Sequence, residues 1–348
     1  MAPLVQAIHL EFSHNLPGDI FVYKGNVDPD WTVGAVPNGG YVLSLILEAA
    51  VKHQSPKAHP DPIHVTAHFL RSAATSTFEV HIHILKAGRG FTNLTANLVQ
   101  NGEVKVMTHM VFGVLASPSD PTTPTLTVEP PSPYARRIPL YTHPSKCSPD
   151  RPEWRFGYSK YIQTAHCPVH VKNAEIPREG MEWGLYLTLT DPSEQWTTSA
   201  IPFATDTFRA LHQVVPSHKD VRRVRYDILI KLLYTSSSSF LTFVDTSWAP
   251  TMVMTIEFKF PIPKPSSPDH SPRTVAVYSS GRFINDPQAR HDTYIEIWTA
   301  PSNIGEGSEQ GDWREKQRCL AVSTQMALLV PMEVNKRRGE KAQAGSKL

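Results

Sequence analysis

The chain has 348 residues, of which 40% are hydrophobic and 19% charged, with a formal net charge of +2. This length suggests two domains with ordinary globular cores, and the small net charge argues against a nucleic-acid-binding surface. The three scattered cysteines are typical of a reducing compartment, and no signal peptide or membrane-spanning run (~20 apolar residues) is expected.

The first half predicts strands, one buried helix and then more strands. Residues 1–30 are strand-like, and Asn38-Gly39-Gly40 opens an apolar run, residues 41–51, that has no polar face. A helix that is apolar nearly all round is buried. Alternation and turn signals then predict an antiparallel meander, in which Asn101-Gly102 forms the last hairpin. Its strands are expected at residues 63–70, 78–85, 92–100 and 103–115.

The second half repeats this order after a linker. Residues 117–133 are rich in Pro, Ser and Thr, which is typical of a linker. Residues 155–167 fit either a strand pair or an insertion. From residue 181 onward we expect a second buried helix at about 205–215, with residues 220–235 also helical. The strands are expected at residues 183–189, 251–260, 274–283, 294–298 and 320–330.

A short internal repeat supports a duplication. Four residues before the first apolar run recur at one constant offset before the second. They are Trp31, Thr32, Ala35 and Pro37, which recur as Trp196, Thr197, Ala200 and Pro202. Tyr41 then stands where Asp206 stands in the second copy, and His109 stands opposite Gln325. The predicted fold class is α+β, with two tandem domains, each a curved antiparallel sheet wrapped around one long buried helix.

Common catalytic signatures are missing. The chain has no Gly-x-Ser-x-Gly elbow, phosphate-binding loop, dinucleotide fingerprint or His-Glu-x-x-His motif. His81 and His83 share a strand face, but two histidines without a third ligand do not predict a metal site. We therefore expect no metal and no cofactor.

Several short motifs carry a family resemblance. They are residues 37–41, 65–71, 88–102, 203–206, 250–258 and 322–325. In order and spacing they resemble the type II acyl-CoA thioesterases of the thioesterase-like superfamily, which carry two hotdog domains in one polypeptide. The resemblance implies an N-terminal hotdog domain over residues 1–116, a linker and insertion over 117–180, and a C-terminal hotdog domain over 181–332. A disordered tail, 333–348, is expected to follow.

The resemblance also implies a site. The family uses an Asp, a Thr and a Gln of its second domain to hold a hydrolytic water, and these fall on Asp206, Thr251 and Gln325. Thr255 is a second candidate for the Thr, because residues 251 and 255 share a face of a regular strand. The predicted substrate-binding residues are Asn38, Gly39, Gly40, Tyr41 and Thr255.

These residue types suit thioester hydrolysis. A carboxylate can take the proton of water, hydroxyl and amide groups can orient that water, and free N–H groups at a helix start can face an oxyanion. Each residue also has a structural interpretation: a helix-start charge for Asp206, a strand residue for Thr251, a buried polar group for Gln325 and a tight turn for Asn38 to Gly40.

The expected activity is hydrolysis of an acyl-CoA to the free acid and CoA. The Pro-rich linker and long second-half insertions suggest a specialised acyl group, for instance that of a secondary metabolite. One alternative is a hotdog hydratase or dehydratase that uses Asp206 with His212, although the Asn-Pro of that motif is missing. Another is a silent acyl-CoA binder. Release of a free thiol separates hydrolysis from both.

The last three residues, Ser346-Lys347-Leu348, match a peroxisomal targeting signal. We therefore expect location in the peroxisome, with the import receptor as a partner beside the acyl-CoA substrate. Neither nucleic acid nor a membrane span is expected. A homo-oligomer is an expectation from the family alone.

Overall fold

The computed structural model describes residues 2–115, 126–150, 156–173, 181–208 and 247–345. Its strands in chain order are β1 (Glu11–Leu16), β2 (Ile20–Asn26), β3 (Thr32–Val33), β4 (Val36–Pro37), β5 (Asp61–Phe69), β6 (Thr77–Ala87), β7 (Thr92–Gln100), β8 (Glu103–Gly113), β9 (Ile162–His166), β10 (Met181–Leu189), β11 (Ser247–Trp248), β12 (Thr251–Phe258), β13 (Thr274–Gly281), β14 (Ile284–Asn285), β15 (Arg290–Thr299), β16 (Cys319–Ala327) and β17 (Val330–Pro331). Its α-helices are α1 (Leu4–Ala7), α2 (Gly39–Gln54), α3 (Pro168–Asn173), α4 (Ile201–Thr205), α5 (Trp313–Lys316) and α6 (Met332–Gly345). Short 3-10 turns lie at Pro144–Lys146, Gly157–Lys160 and Thr198–Ala200.

One antiparallel sheet of 13 strands runs through both halves of the chain, in the order β1-β2-β6-β7-β8-β5-β12-β16-β15-β13-β10-β9, with β14 paired to β15. The halves meet where β5 pairs with β12, in a register that joins Val65 to Ile256. Counted outward from this junction, the strands of the two halves follow one another in the same order. The predicted strands of both meanders are confirmed, with ends that differ by a few residues.

Helix α2 forms the core of the first half. It begins after Asn38, whose side-chain Oδ1 accepts a hydrogen bond from Tyr41 N at 2.9 Å. Such a cap satisfies one of the free N–H groups of a helix start. Leu43, Leu45 and Ile46 are fully buried, and each contributes about 1.5–3 kcal/mol through burial. The predicted buried helix at residues 41–51 is confirmed and is longer at both ends.

The second helix differs from its prediction. Helix α4 ends at Thr205, and Asp206 follows it in a turn with φ −103° and ψ 5°. The predicted helix at about 205–215 is therefore wrong for residues 206–208, and of the described residues in that range only Thr205 is helical. Residues 209–215 of that prediction, and the predicted helix at residues 220–235, lie outside the described residues. Pro202 fits the first turn of α4, where its missing N–H costs nothing.

The predicted linker and insertion contains part of the sheet. Strand β9, at residues 162–166, pairs with β10 and forms the edge of the second half. Residues 138, 140 and 147, from the same segment, lie in a buried apolar cluster against Tyr186 and Trp298. Treating all of 117–180 as a linker and insertion is therefore wrong. Of the two alternatives for residues 155–167, the structure supports a strand, one at 162–166 that is polar at three of its five positions.

The predicted disordered tail is also wrong for residues 333–345, which belong to helix α6. Asn335 Oδ1 accepts from Ala35 N and Asn335 Nδ2 donates to Val33 O, both at 2.8 Å. A Cβ on Gly339 would lie 2.5 Å from Ala35 Cβ, so glycine permits this close approach. Docking of this kind can order a polar segment whose composition suggests disorder.

Across the described ranges, no helix combines the length and apolarity needed to cross a membrane.

Candidate active site

Asp206 lies at the junction of the two halves, against the start of α2. Its Oδ2 accepts a hydrogen bond from Gly40 N at 2.9 Å, and its Oδ1 accepts from Thr251 Oγ1 at 3.2 Å. The carboxylate therefore comes from the second half while its backbone donor comes from the first. The positive end of a helix stabilises a negative charge at this place.

Thr251 is brought to Asp206 by an irregularity in strand β12. Thr251 pairs with Ala327 and Val253 with Met326, so the register shifts between residues 251 and 253. A bulge of this kind turns a side chain toward the opposite face of a sheet. Thr255, beyond the bulge, hydrogen-bonds the Thr324 hydroxyl at 2.6 Å and does not line the cavity. The structure thus brings Thr251 to the site, and the prediction that Thr251 and Thr255 share a face is wrong.

Gln325 completes the group from the inner face of β16. It is only 4% exposed. Its Nε2 donates to Thr205 O at 2.8 Å, and its Oε1 lies 3.4 Å from Thr251 Oγ1. The bond to Thr205 fixes the orientation of the amide next to Asp206. Thr251 therefore contacts both Asp206 and Gln325, so the three residues named by the family resemblance lie close together.

The first half has no matching group. At the junction of the halves, Met254 pairs with both Gln325 and Ala67, and Ala67 pairs in turn with Thr108. His109 is exposed on β8 between the buried Thr108 and Met110, whereas Gln325 is buried on β16, so the predicted correspondence of His109 with Gln325 is wrong by one residue. Thr108 donates its hydroxyl to Ala96 O, which keeps it in the first-half core.

The residues at the start of α2 divide into two groups. Asn38 and Gly39 line a cavity beside Asp206. The amide of Gly40 donates to Asp206, so it is not free for an oxyanion, contrary to that part of the prediction. Tyr41 is fully buried: its hydroxyl donates to Ala7 O at 2.9 Å and accepts from Asp28 N at 3.0 Å. This buried placement contradicts the prediction that Tyr41 contacts the substrate. The prediction that Thr255 binds substrate is also wrong, because its hydroxyl bonds Thr324 outside the cavity.

The environment of Asp206 brings the pKa of its carboxyl closer to neutral pH. Burial raises the pKa of the Asp206 carboxyl from its ordinary 3.8 to about 6, although the Gly40 amide, the Thr251 hydroxyl and the Asn38 side chain oppose the rise. A carboxyl whose pKa lies close to the working pH is suited to accept a proton from water.

The cavity beside Asp206 is open and large, with a volume of about 1940 Å³. Apolar side chains from both halves line it, with the polar groups of Asn38, Asp206 and Thr251 together at one place and further polar and charged side chains elsewhere. The apolar residues include Val36, Val42, Phe69, Leu185 and Phe208. A mostly apolar cavity with convergent polar groups is the usual form of a ligand site.

Helix α6 also lines this cavity, through Met332, Arg338, Lys341, Ala342 and Gly345. Sequence reasoning missed these residues because they fall in the polar tail. The spacing of Asn335 and Gly339 by one helical turn was the available signal. His212, the partner of Asp206 in the alternative hydratase interpretation, lies outside the described residues.

Comparisons with known proteins show similarity to thioesterases. A sequence profile of the acyl-CoA thioesterase N-terminal domain matches residues 27–113. Thioesterase-like protein TwmA of Talaromyces wortmannii is 41% identical over 86 residues, which are 24% of this chain and 24% of that protein. Ustilagic acid biosynthesis cluster protein orf2 of Mycosarcoma maydis is 33% identical over 89 residues, which are 24% and 23% of the two chains. The chain thus matches about a quarter of the length of each curated relative.

The fold is also that of a solved thioesterase structure. The acyl-CoA thioesterase II TesB2 of Mycobacterium marinum is similar over 94% of this chain and 98% of its own, with a TM-score of 0.58 at 13% identity. The matching N-terminal domain, the thioesterase-like relatives and this shared fold make the chain similar to the type II thioesterases, whose hotdog fold it shares.

Proposed function

We propose that the chain is a thioesterase that hydrolyses an acyl-CoA to the free acid and CoA. The observation that carries the proposal is that Thr251 contacts both Asp206 and Gln325, while Asp206 and Thr251 line an open cavity. A group of this kind can hold and deprotonate a water molecule without a covalent nucleophile.

In the proposed reaction, Asp206 takes a proton from water as the water oxygen attacks the thioester carbonyl. Thr251 and Gln325 orient that water, which lowers the entropic part of the barrier. The carbon–sulfur bond then breaks, and the departing thiolate takes the proton from Asp206. No oxidant, reductant or metal enters this balance.

Asn38 is the proposed donor to the developing oxyanion. Its side-chain oxygen, Oδ1, accepts a hydrogen bond from Tyr41 N, and the whole residue is 7% exposed. The amide nitrogen faces Asp206 closely enough to lower the pKa of that carboxyl. Since a side-chain amide carries two N–H groups, one remains to stabilise charge on the carbonyl oxygen.

The acyl group would lie against the apolar part of the cavity. We infer that it belongs to a secondary metabolite, because one partial relative carries the name of a biosynthesis cluster protein. The test is thiol release from short, medium, long, aromatic and hydroxylated acyl-CoAs. Turnover of at least one class is expected. Binding of a non-hydrolysable thioether analogue with no turnover of any class would instead identify a silent binder, and water addition without thiol release would identify a hydratase.

Thr251→Val is expected to lower kcat by about a hundredfold, because the variant keeps the shape of the side chain but loses the hydroxyl that orients water. Thr255→Val is the matched control on the same strand, and its rate should stay within about twofold of wild type, since that hydroxyl bonds Thr324 on the other face. Steady-state kinetics on the best acyl-CoA measure both variants. Equal losses would contradict the assignment of Thr251.

We also propose that the two halves of the sheet are tandem hotdog units. Their matching strand order around the β5–β12 junction supports this organisation. Limited proteolysis between residues 116 and 161, followed by sizing of the fragments, tests whether each half forms a folded unit. Assembly of several copies stays a prediction, which sedimentation would measure.

The peroxisome is the proposed location, because of the terminal Ser346-Lys347-Leu348. A fluorescent protein fused in front of the intact chain should colocalise with a peroxisomal marker, and removal of Leu348 should abolish the colocalisation. A punctate signal that persists without Leu348 would contradict the assignment of these residues as the targeting signal.

A further inference from the structure

Four cationic side chains line one part of the cavity, two from the first half of the chain and two from helix α6. They are Arg71, Lys105, Arg338 and Lys341, here called the basic rim. One carboxylate, Glu103, lies among them. Lys105 Nζ donates to Glu103 Oε2 at 2.7 Å, and Arg71 Nε lies 4.0 Å from the same atom. The hydrogen bond from Lys105, and the charges of Arg71 and Lys341, lower the pKa of Glu103. One acid against four cations leaves the rim strongly positive.

The basic rim is joined to the reactive group by short pieces of chain. Phe69 lies 3.5 Å from the position of a Cβ on Gly39, next to Asp206, and Arg71 follows two residues later. On the other side, Trp248 precedes Thr251 by three residues, and the Arg338 guanidinium lies 5.5 Å from the centre of its ring. The rim and the reactive group therefore belong to one cavity.

Helix α6 directs only some of its cations to this cavity. Arg338, Lys341 and Gly345 share the lining face, at spacings of three and four residues. Lys336 and Arg337 are exposed and are not part of the lining. Positive charge that faces inward suits an anionic molecule that enters the cavity. A patch for a carrier protein would instead be expected on the outer face.

We propose that the basic rim binds the phosphates of the CoA moiety while the thioester lies at Asp206. The inference rests on the proposed function and extends it, because it assigns the nucleotide end of the substrate to the cavity wall formed by the segment after β5, by β8 and by α6. Arg and Lys bind phosphates through charge-assisted hydrogen bonds, which are about twice as strong as neutral ones. The C-terminal helix thus becomes part of the substrate site.

The test compares two pairs of charge-removing substitutions on the same helix. Arg338→Gln with Lys341→Gln removes the lining charges, and Lys336→Gln with Arg337→Gln removes two outer charges as a control. Gln is a good helix former, so both variants should keep the fold, which circular dichroism verifies. We expect the lining variant to lose at least about tenfold in kcat/KM for acyl-CoA, with no change for the N-acetylcysteamine thioester of the same acid, which has no phosphate. The control should match wild type on both substrates.

Equal losses in the two variants, or an equal loss on the phosphate-free thioester, would overturn the proposal. So would a loss confined to the outer variant with an acyl carrier protein as substrate. Calorimetry with a non-hydrolysable thioether analogue of acyl-CoA separates this inference from the proposed function. Binding that weakens in the lining variant supports the phosphate site even if no thioester is hydrolysed, while hydrolysis without any dependence on the rim refutes the site alone.

Discussion

Replacing Asp206 by Asn is expected to lower kcat for thioester hydrolysis by about a thousandfold at pH 8, because a positioned general base contributes about 10²–10⁴-fold. Asn keeps the size of the side chain. It can still accept the hydrogen bond from Gly40 N, which is 2.9 Å long in the wild-type protein. It cannot take a proton from water. The loss should therefore appear in kcat, with binding of a thioether analogue retained.

The control for this substitution is Asp19→Asn. Asp19 is exposed in a turn with φ 56°, a conformation that Asn adopts as readily as Asp. Its variant should match wild type. If the Asp206 variant keeps more than a tenth of the wild-type rate while the control is normal, Asp206 is not the base.

The pH dependence follows from the same carboxyl. Because the pKa of Asp206 is raised to about 6, the base is ionised above that pH and protonated below it. In wild type, kcat/KM should be flat above pH 7 and fall about tenfold per unit below pH 6, since kcat/KM reports the free enzyme. The residual activity of Asp206→Asn should lack this step. An unchanged step in the variant would assign it to another group.

The ionised carboxylate of Asp206, which the activity requires, should lower the stability of the fold. A carboxyl whose folded-state pKa is raised costs stability when it is ionised, so the cost is full above about pH 6 and absent below its ordinary value of 3.8. Asp206→Asn removes that cost. At pH 8 its thermal midpoint should equal or exceed that of wild type, and the advantage should shrink as the pH falls toward 4.

The comparison of sequence and structure shows which features local patterns specify. Helix α2 was predictable because its apolar run and its Asn-Gly-Gly start are contiguous in sequence. Thr251 was harder, since the bulge in β12 depends on how β16 pairs with it, and a regular strand would have pointed residues 251 and 255 the same way. The charges of helix α6 suggested disorder. Its order could not be predicted locally, because the residues that anchor it, Ala35 and Val33, are about 300 residues away in sequence.

The contact between the halves was also out of reach of local reasoning. The repeat around Trp31 and Trp196 predicted two copies of a domain. It did not predict that the start of α2 in one copy would hold the carboxylate of the other, as Gly40 N holds Asp206. That contact exists only after β5 and β12 join the halves in one sheet. The candidate site is therefore formed at the junction of the two halves.

The last prediction concerns the close packing at this junction. A Cβ on Gly40 would lie 2.4 Å from Pro202 O, 2.5 Å from Asp206 Cβ and 3.0 Å from Phe203 Cα. These neighbours are backbone or near-backbone atoms, so α2 and α4 would have to move apart. Gly40→Ala is expected to lower the free energy of unfolding by roughly 3 kcal/mol, the upper range for overpacking a tight contact. It should also lower kcat by about a hundredfold, because Asp206 is displaced.

Gly39→Ala is the matched control, one residue earlier in the same helical turn. Its Cβ would meet Asp206 Oδ2 at 3.2 Å and the Phe69 ring at 3.5 Å, contacts that a small movement relieves. Both substitutions add the same methyl group and the same gain in helix propensity, at most about 1 kcal/mol. Denaturant unfolding and thiol release measure the two variants side by side. If the two variants lose equal stability, the separation of α2 from α4 does not depend on Gly40. A large loss of stability confined to Gly40→Ala would show that this glycine sets how closely the two halves approach. It would therefore also set the position of Asp206.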